Sequence, residues 1–305
     1  MRGLLIFVCF CAGLSAQTIP LVPAVREAAQ QGDFALASRE LAAAKSSKGV
    51  TPEYLEAASW VGRGQLAAKR YDAALASAAE VRKQVEQQLT QRKLDADRNL
   101  PIALGATIEV TAQALAAQGG RDQAVAFLRD SLNKYRGTTI VARVQKNLNL
   151  LTLEGKPAPA LDTTHTVAGT QARPLTAHRN HPVLVFFWAH WCGDCKAEVE
   201  IVRKLNAAYA AKGLHVVAPT QHYGYVAGGE DAPRAKETAY INEIWGRYYA
   251  QLGKVEAPVS EANFLAYGVS TTPTLVLIDK AGVVRMYNPG NLTYEQLAVR
   301  IEKLL

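Results

Sequence analysis

Cysteine is scarce in this 305-residue chain, which contains only Cys9, Cys11, Cys192 and Cys195. Two lie near the start and two form one pair, a set that cannot build a multi-disulfide framework or a four-cysteine zinc site. Long apolar runs are missing too. The stretch from Gly3 to Leu14 is too short to span a bilayer, and a mean hydropathy of −0.04 excludes a bundle of membrane helices. Hydrophobic residues make up 49% of the chain and charged residues 20%, which excludes a disordered polymer. No block of one charge occurs: 34 Lys and Arg against 27 Asp and Glu give a scattered net +7, so nucleic acid is not an expected partner. The glycines follow no GxGxxG order and no GKS/T is present, so no nucleotide or flavin cofactor is expected.

The N-terminus has the order of an export signal. Arg2 supplies positive charge, Gly3 to Leu14 an apolar core, and Ser15 and Ala16 small residues before Gln17. Residues 1–16 are therefore expected to be a signal peptide cleaved near Ala16–Gln17, with an uncleaved anchor as the alternative. Cleavage would leave Cys192 and Cys195 as one thiol pair in an oxidising compartment, periplasmic or otherwise extracytoplasmic.

Residues 17–154 hold 27 alanines and four prolines, with apolar residues at helical spacing and no strand-like alternation. Helix starts are expected at Thr51-Pro52-Glu53 and Asn99-Leu100-Pro101, and stops at Gly119-Gly120 and Gly137. About seven helices fit this stretch. A weak repeat runs through it. Ala37 follows Gly32-Asp33-Phe34, Ala74 follows Lys69-Arg70-Tyr71, and Ala124 follows Gly120-Arg121, with Gly62 upstream of the middle copy. Small residues at tight crossings and an aromatic at the turn suit stacked helical hairpins. The pattern resembles the tetratricopeptide architecture with irregular spacing; an Ala-rich bundle is the alternative.

At Gly155-Lys156-Pro157-Ala158-Pro159 the composition changes, and a linker is expected there. Buried strands are expected at Pro182–Trp188, Leu214–Ala218 and Thr274–Ile278, with a less regular one at Val283–Tyr287. Helices are expected over 192–212 with Gly213 as stop, over 232–252 and over 293–304. Residues 155–305 thus read as an α/β domain behind an all-α one.

Trp191-Cys192-Gly193-Asp194-Cys195 falls where a buried strand gives way to a helix. Two cysteines at this spacing on a first helical turn bring their sulfurs within disulfide reach. Cys192 lies at the helix N-terminus, where free amides and the macrodipole favour a thiolate. It is the expected nucleophile, and Cys195, one turn deeper, the resolving thiol. A zinc half-site is the main rival. It lacks a second pair or an HxxxH, and His215 and His222 fall on a strand end and a loop, so no metal is expected. In a peroxidase of the peroxiredoxin type, Thr and Pro would stand where Ala189 and Val185 are found.

Residues 155–305 resemble the extracytoplasmic thioredoxin-like thiol–disulfide oxidoreductases of the TlpA/ResA type. The matching stretches are Gly155–Pro159, Val185-Phe186-Phe187-Trp188-Ala189-His190-Trp191-Cys192-Gly193-Asp194-Cys195-Lys196-Ala197-Glu198, Tyr267-Gly268-Val269-Ser270-Thr271-Thr272-Pro273-Thr274 and Leu277–Gly282. The resemblance implies a thioredoxin-like fold and a redox-active Cys192–Cys195 disulfide. It also implies a cis Pro273 facing it, and a Thr272 backbone free to pair with an extended substrate. Trp191, Gly193, Thr272 and Pro273 are the expected substrate contacts. Protein disulfides are the expected substrates, in the reductase direction. A separate electron donor, a membrane thiol transporter, and a protein partner for the helical domain complete the picture. The alternative is a partner-binding helical scaffold whose CxxC only senses redox state.

Three departures from the family pattern bear on chemistry. Phe186 stands where thioredoxins carry a buried Asp. Asp194 replaces a usual Pro and is the expected helper in deprotonating Cys195, its charge making the disulfide less oxidising with Lys196 as partial offset. Glu200 stands where a helix-kinking Pro is common, so a straighter helix is expected. Glu198 matches the family's acidic position, and a solvated helix-face charge is the other reading. Trp188 is expected in the core. Between Pro219 and Glu261 lies an insert in which Tyr240, Trp245, Tyr248 and Tyr249 read as packing. The loop His222-Tyr223-Gly224-Tyr225, with Gly228-Gly229, reads as substrate-selecting.

Overall fold

A computed structural model describes residues 20–305; the expected signal segment, 1–16, lies outside the described residues. Seven α-helices come first: α1 (Leu21–Gln30), α2 (Phe34–Lys48), α3 (Pro52–Ala67), α4 (Tyr71–Leu89), α5 (Asn99–Ala117), α6 (Arg121–Lys134) and α7 (Val141–Thr152). Thr51 caps α3 by accepting the Tyr54 N–H at 3.1 Å, with Pro52 in the first helical position. At the start of α5 the Asp97 carboxyl accepts the Asn99 N–H at 2.7 Å. α5 is long and apolar enough to cross a membrane, but it is the centre of this half, packed by α3, α4, α6 and α7.

α1 and α2, α3 and α4, and α5 and α6 pack as successive pairs. Ala37, Ala74 and Ala124, the small residues of the weak repeat, are fully buried where these helices meet. The structure corrects one detail. A β-carbon on Gly62 would meet Ala74 O at an ordinary 3.6 Å, whereas one on Gly64 would collide with the Ala29 carbonyl of α1. The tight crossing is therefore at Gly64. Gly64→Ala should cost about 1–3 kcal/mol as the helices are pushed apart. Gly62→Ala should be neutral or stabilising by up to about 1 kcal/mol. Denaturant unfolding of the two variants checks this, and equal midpoints would refute the assignment.

The second half is a sheet of β1 (Val183–Phe187), β2 (His215–Val217), β3 (Thr274–Ile278) and β4 (Val284–Pro289) in the order β2-β1-β3-β4. β1 runs parallel to β2 and antiparallel to β3, and β4 is antiparallel to β3. The fold is thioredoxin-like, a mixed sheet covered by helices. Alternation along β1 explains its unbroken apolar run. Leu184, Phe186 and, just beyond the strand, Trp188 pack with α8 (Gly193–Tyr209) and α11 (Tyr294–Glu302). Val183, Val185 and Phe187 face the other way, onto Phe264 of α10 (Glu261–Ala266), Tyr267 and Leu153. α10 escaped sequence reading because six residues are too few to display a helical period.

α8 closes in a 3-10 turn, Ala210–Lys212, and Gly213 stops it at φ 105°. The helix expected over 232–252 is three pieces: α9 (Arg234–Ile244), a π-helical turn (Trp245–Tyr249) and a 3-10 turn (Ala250–Leu252). The expected linker is not a free tether. Gly155 N–H donates to Val284 O at 2.8 Å, Val284 N–H to Lys156 O at 2.9 Å, and Ala158 N–H to Gly282 O at 2.9 Å. These bonds lay the segment along the start of β4.

Candidate active site

After β1 the chain passes Trp188, whose N–H donates to Pro219 O at 3.1 Å, and turns into α8. Cys192 is the N-cap of α8, its sulfur accepting the Cys195 N–H at 3.0 Å. That backbone donor and the helix dipole favour negative charge on this sulfur once the pair is reduced. The two cysteines form a disulfide, with Cα atoms 5.3 Å apart. Both are buried, Cys192 on the outer side at 3% exposure and Cys195 at 0%. Trp191 beside them is 48% exposed, and among the described residues nothing beyond its own chain neighbours and helix backbone lies within 4 Å of where a Gly193 β-carbon would stand. The surface over Gly193 is therefore open, next to an apolar ring.

Across from the sulfurs, the Thr272–Pro273 peptide is cis. Cys192 Sγ stands 3.4 Å from the Thr272 carbonyl oxygen. Pro273 O is tied to Gly290 N–H at 2.8 Å, and Thr271 O accepts from Thr274 Oγ1 at 2.7 Å, so both sides of this loop are held. The structure thus brings Trp191, Cys192, Gly193, Cys195, Thr272 and Pro273 together.

The carboxyl groups sort differently from the sequence expectation. Asp194 is exposed on the first turn of α8. Glu198, one turn below Cys195 on the same helix, is only 1% exposed. Among the described residues its one hydrogen bond is accepted from Leu292 N–H at a long 3.4 Å, and burial pushes its carboxyl up to about 7. Glu198 is therefore not a solvated face charge. Phe186 is fully buried in β1, where it offers no proton site. Lys196 sits 4.7 Å over the Tyr248 ring rather than free in solvent. Glu200 pairs on the surface with Arg203 at 2.8 Å and Lys204 at 3.4 Å, on a helix that is continuous over 17 residues.

The Redoxin family model matches residues 153–298. The thiol-disulfide oxidoreductase ResA of Geobacillus thermodenitrificans is 26% identical over 130 residues, 43% of this chain and 67% of that protein. Residues 153–298 are a redoxin domain of the TlpA/ResA thiol–disulfide oxidoreductase type. The thiol:disulfide interchange protein DsbE of Yersinia pestis is 30% identical over 141 residues, 46% of this chain and 66% of that protein. The chain thus spans about two thirds of the length of these relatives. A solved thiol:disulfide interchange protein of the thioredoxin family from Chlorobium tepidum aligns at 17% identity and a TM-score of 0.40, covering 49% of this chain and 95% of that one.

Within the redoxin domain, the insert between Pro219 and Glu261 is fastened to the active-site loop by residues that sequence reading missed. His190, two residues before Cys192, is fully buried, and its Nε2 lies 3.1 Å from Glu237 Oε1 on α9. Glu237 is 1% exposed and also accepts the Tyr223 and Gly224 N–H groups. Burial pushes the His190 imidazole down, against the pull of Glu237, so the neutral tautomer that fits carries its proton on Nε2. Tyr223, Tyr225 and Tyr240 surround His190 edge-on, and Tyr223 meets the Trp191 ring at 5.5 Å. Nothing in the sequence marked a lone His and a Glu 47 residues away as partners. Trp245 and Tyr249 are core with Trp188, as expected, while Tyr240 and Tyr248 are half-buried.

Glu237→Ala would strand two backbone donors and a histidine, a loss of about 3 kcal/mol or more from this joint. Amide exchange at Tyr223 and Gly224 should accelerate more than a hundredfold while β1 stays protected. Unchanged exchange at these amides would show that the loop is held by something else.

Proposed function

We propose that this chain is an exported dithiol–disulfide exchange enzyme that reduces disulfides in other proteins. The observation that carries the proposal is the Cys192–Cys195 disulfide at the head of α8, its outer sulfur against the Thr272 carbonyl. In the reduced enzyme the Cys192 thiolate attacks one sulfur of a substrate disulfide, forming a mixed disulfide and releasing one substrate thiolate. The Cys195 thiol then loses its proton and attacks Cys192 Sγ, expelling the second substrate thiolate. Two electrons pass to the substrate, and the enzyme is left with the disulfide seen here.

The proton from Cys195 goes to Glu198 in this scheme. A carboxyl titrating near 7 is poised to take it near neutral pH, and its place one turn below Cys195 supports the role. Asp194, exposed, is relieved of that task and acts only through its screened charge. The substrate's backbone lies over Gly193 and along Thr272-Pro273, with Trp191 and Tyr223 as an apolar wall.

A separate dithiol donor, for which a membrane thiol transporter is the proposed source, must return the two electrons. Export rests on the composition of residues 1–16, with 17–154 as the helical partner-binding domain and 155–305 as the redox domain. The test is turnover: the full chain should accelerate reduction of insulin disulfides by dithiothreitol, and Cys192→Ser should abolish the acceleration. A wild-type chain without acceleration, whose helical half still captures partners, would be a redox-sensing scaffold.

A further inference from the structure

The helical half is docked on the segment that leads into the cis-proline loop. Asn149 of α7 is buried and donates from Nδ2 to the Tyr267 carbonyl at 2.9 Å, across 118 residues of sequence. Its own carbonyl accepts from Gln145 Nε2 at 2.7 Å, which fixes the orientation of the amide. One residue on, Gly268 has φ +62°, and a β-carbon there would collide with Lys146 N and come within 2.6 Å of Gln145 C. Only glycine allows the α7 backbone this close. Tyr287 of β4 donates to the same Tyr267 carbonyl at 2.8 Å, and its N–H is held by Glu154, just past α7, at 3.1 Å.

From this anchor to Thr272 the chain is short and tied. Val269 N–H donates to Phe264 O at 2.7 Å and Ser270 N–H to Gly268 O at 2.9 Å. Thr271 O and Pro273 O have the partners already described, and the Thr272 carbonyl stands against Cys192 Sγ. A thioredoxin-like domain on its own would have no counterpart for this support, because α7 belongs to the preceding half.

We propose that α7 is a positioning element of the redox site. Asn149 and the backbone at Gln145–Lys146 hold Tyr267-Gly268, and thereby set where the Thr272-Pro273 loop meets a protein substrate. The role rests on the exchange reaction proposed above. It gives the helical half a direct part in substrate binding, apart from any partner it recruits. A small disulfide, which does not pair with the Thr272 backbone, should be indifferent to it.

The experiment compares the full chain with Asn149→Leu and Gly268→Ala, using insulin reduction by dithiothreitol and the reaction of the reduced enzyme with a small aromatic disulfide. Asn149→Leu removes one hydrogen bond at similar volume, so KM for insulin should rise about three- to tenfold with kcat changed less than about twofold. Gly268→Ala should act in the same direction and more strongly. The rate with the small disulfide should follow wild type. If Gly268→Ala does not fold, Asn149→Leu decides alone. An unchanged KM in a folded Asn149→Leu overturns the proposal, as does an equal loss toward both disulfides. A wild-type chain inactive on insulin would instead overturn the exchange reaction itself.

Discussion

Cys195→Ser is expected to turn the full chain into a trap. Cys192 would attack substrate disulfides as before, but the mixed disulfide could not be resolved from within. Covalent adducts through Cys192 should accumulate in an extracytoplasmic extract, dissolve on addition of dithiothreitol, and be absent in a Cys192→Ser, Cys195→Ser double variant. Reduction of insulin by dithiothreitol should fall by about tenfold or more, because each mixed disulfide then waits for external dithiothreitol instead of the adjacent Cys195. The geometry gives the direction: Cys192 is on the open side beside Gly193, and Cys195 lies beneath at 0% exposure. Adducts formed through Cys195 in a Cys192→Ser chain, or no adducts at all, would reverse or remove the assignment.

Glu198→Gln should change how stability depends on pH. The folded carboxyl titrates near 7 against 4.5 in an unfolded chain, so the folded state binds more protons between those values. Stability contributed by this group therefore falls as pH rises from about 4.5 to about 7 and is level outside the window. The shift corresponds to about 3 kcal/mol of strain from burying the charged form above pH 7. The glutamine variant has no such titration. Its stability relative to wild type, in the oxidised state, should improve by up to about 3 kcal/mol between pH 4.5 and pH 8. Denaturant unfolding across that range measures the difference, and a flat difference would mean that Glu198 is solvated. In the reduced enzyme the same variant should slow resolution by Cys195 and leave the first attack by Cys192 nearly unchanged.

These two effects fall on residues that the sequence treated unequally. The CxxC was legible because strand, turn and helix signals surround it, and because few cysteines compete with it. Its place at the head of α8 follows from local rules alone. Glu198 was half legible: its spacing from Cys195 was visible, its burial was not. Burial depends on what covers α8, and the backbone that meets Glu198 comes from Leu292, 94 residues away. Asp194 attracted attention by standing between the cysteines, yet the first turn of a helix opens to solvent, and it remained exposed.

The helical half shows the same division. Periodicity and capping gave about seven helices and marked two of their starts, and the small-residue repeat suggested stacked hairpins. The close crossing at Gly64 rather than Gly62 depends on the depth at which α1 and α3 meet, which no local pattern encodes. The His190–Glu237 joint and the Asn149–Tyr267 bond are longer-range still. Both are made by common residue types whose meaning is created only by the partner opposite.

Only the resemblance to the TlpA/ResA pattern paired Thr272-Pro273 with the cysteines, whereas sequence by itself determined the two-part architecture and the strand-to-helix setting of Cys192 and Cys195. Each depends on hydrophobic period, turn chemistry or short spacing, which are properties of neighbouring residues. Tertiary structure alone decided which carboxyl is buried, how the insert is fastened, and that the segment near Gly155 is laid along β4 instead of hanging free. The physical reason is desolvation. A charge or a backbone donor acquires its energy from the groups that exclude water around it, and those groups come from distant parts of the chain.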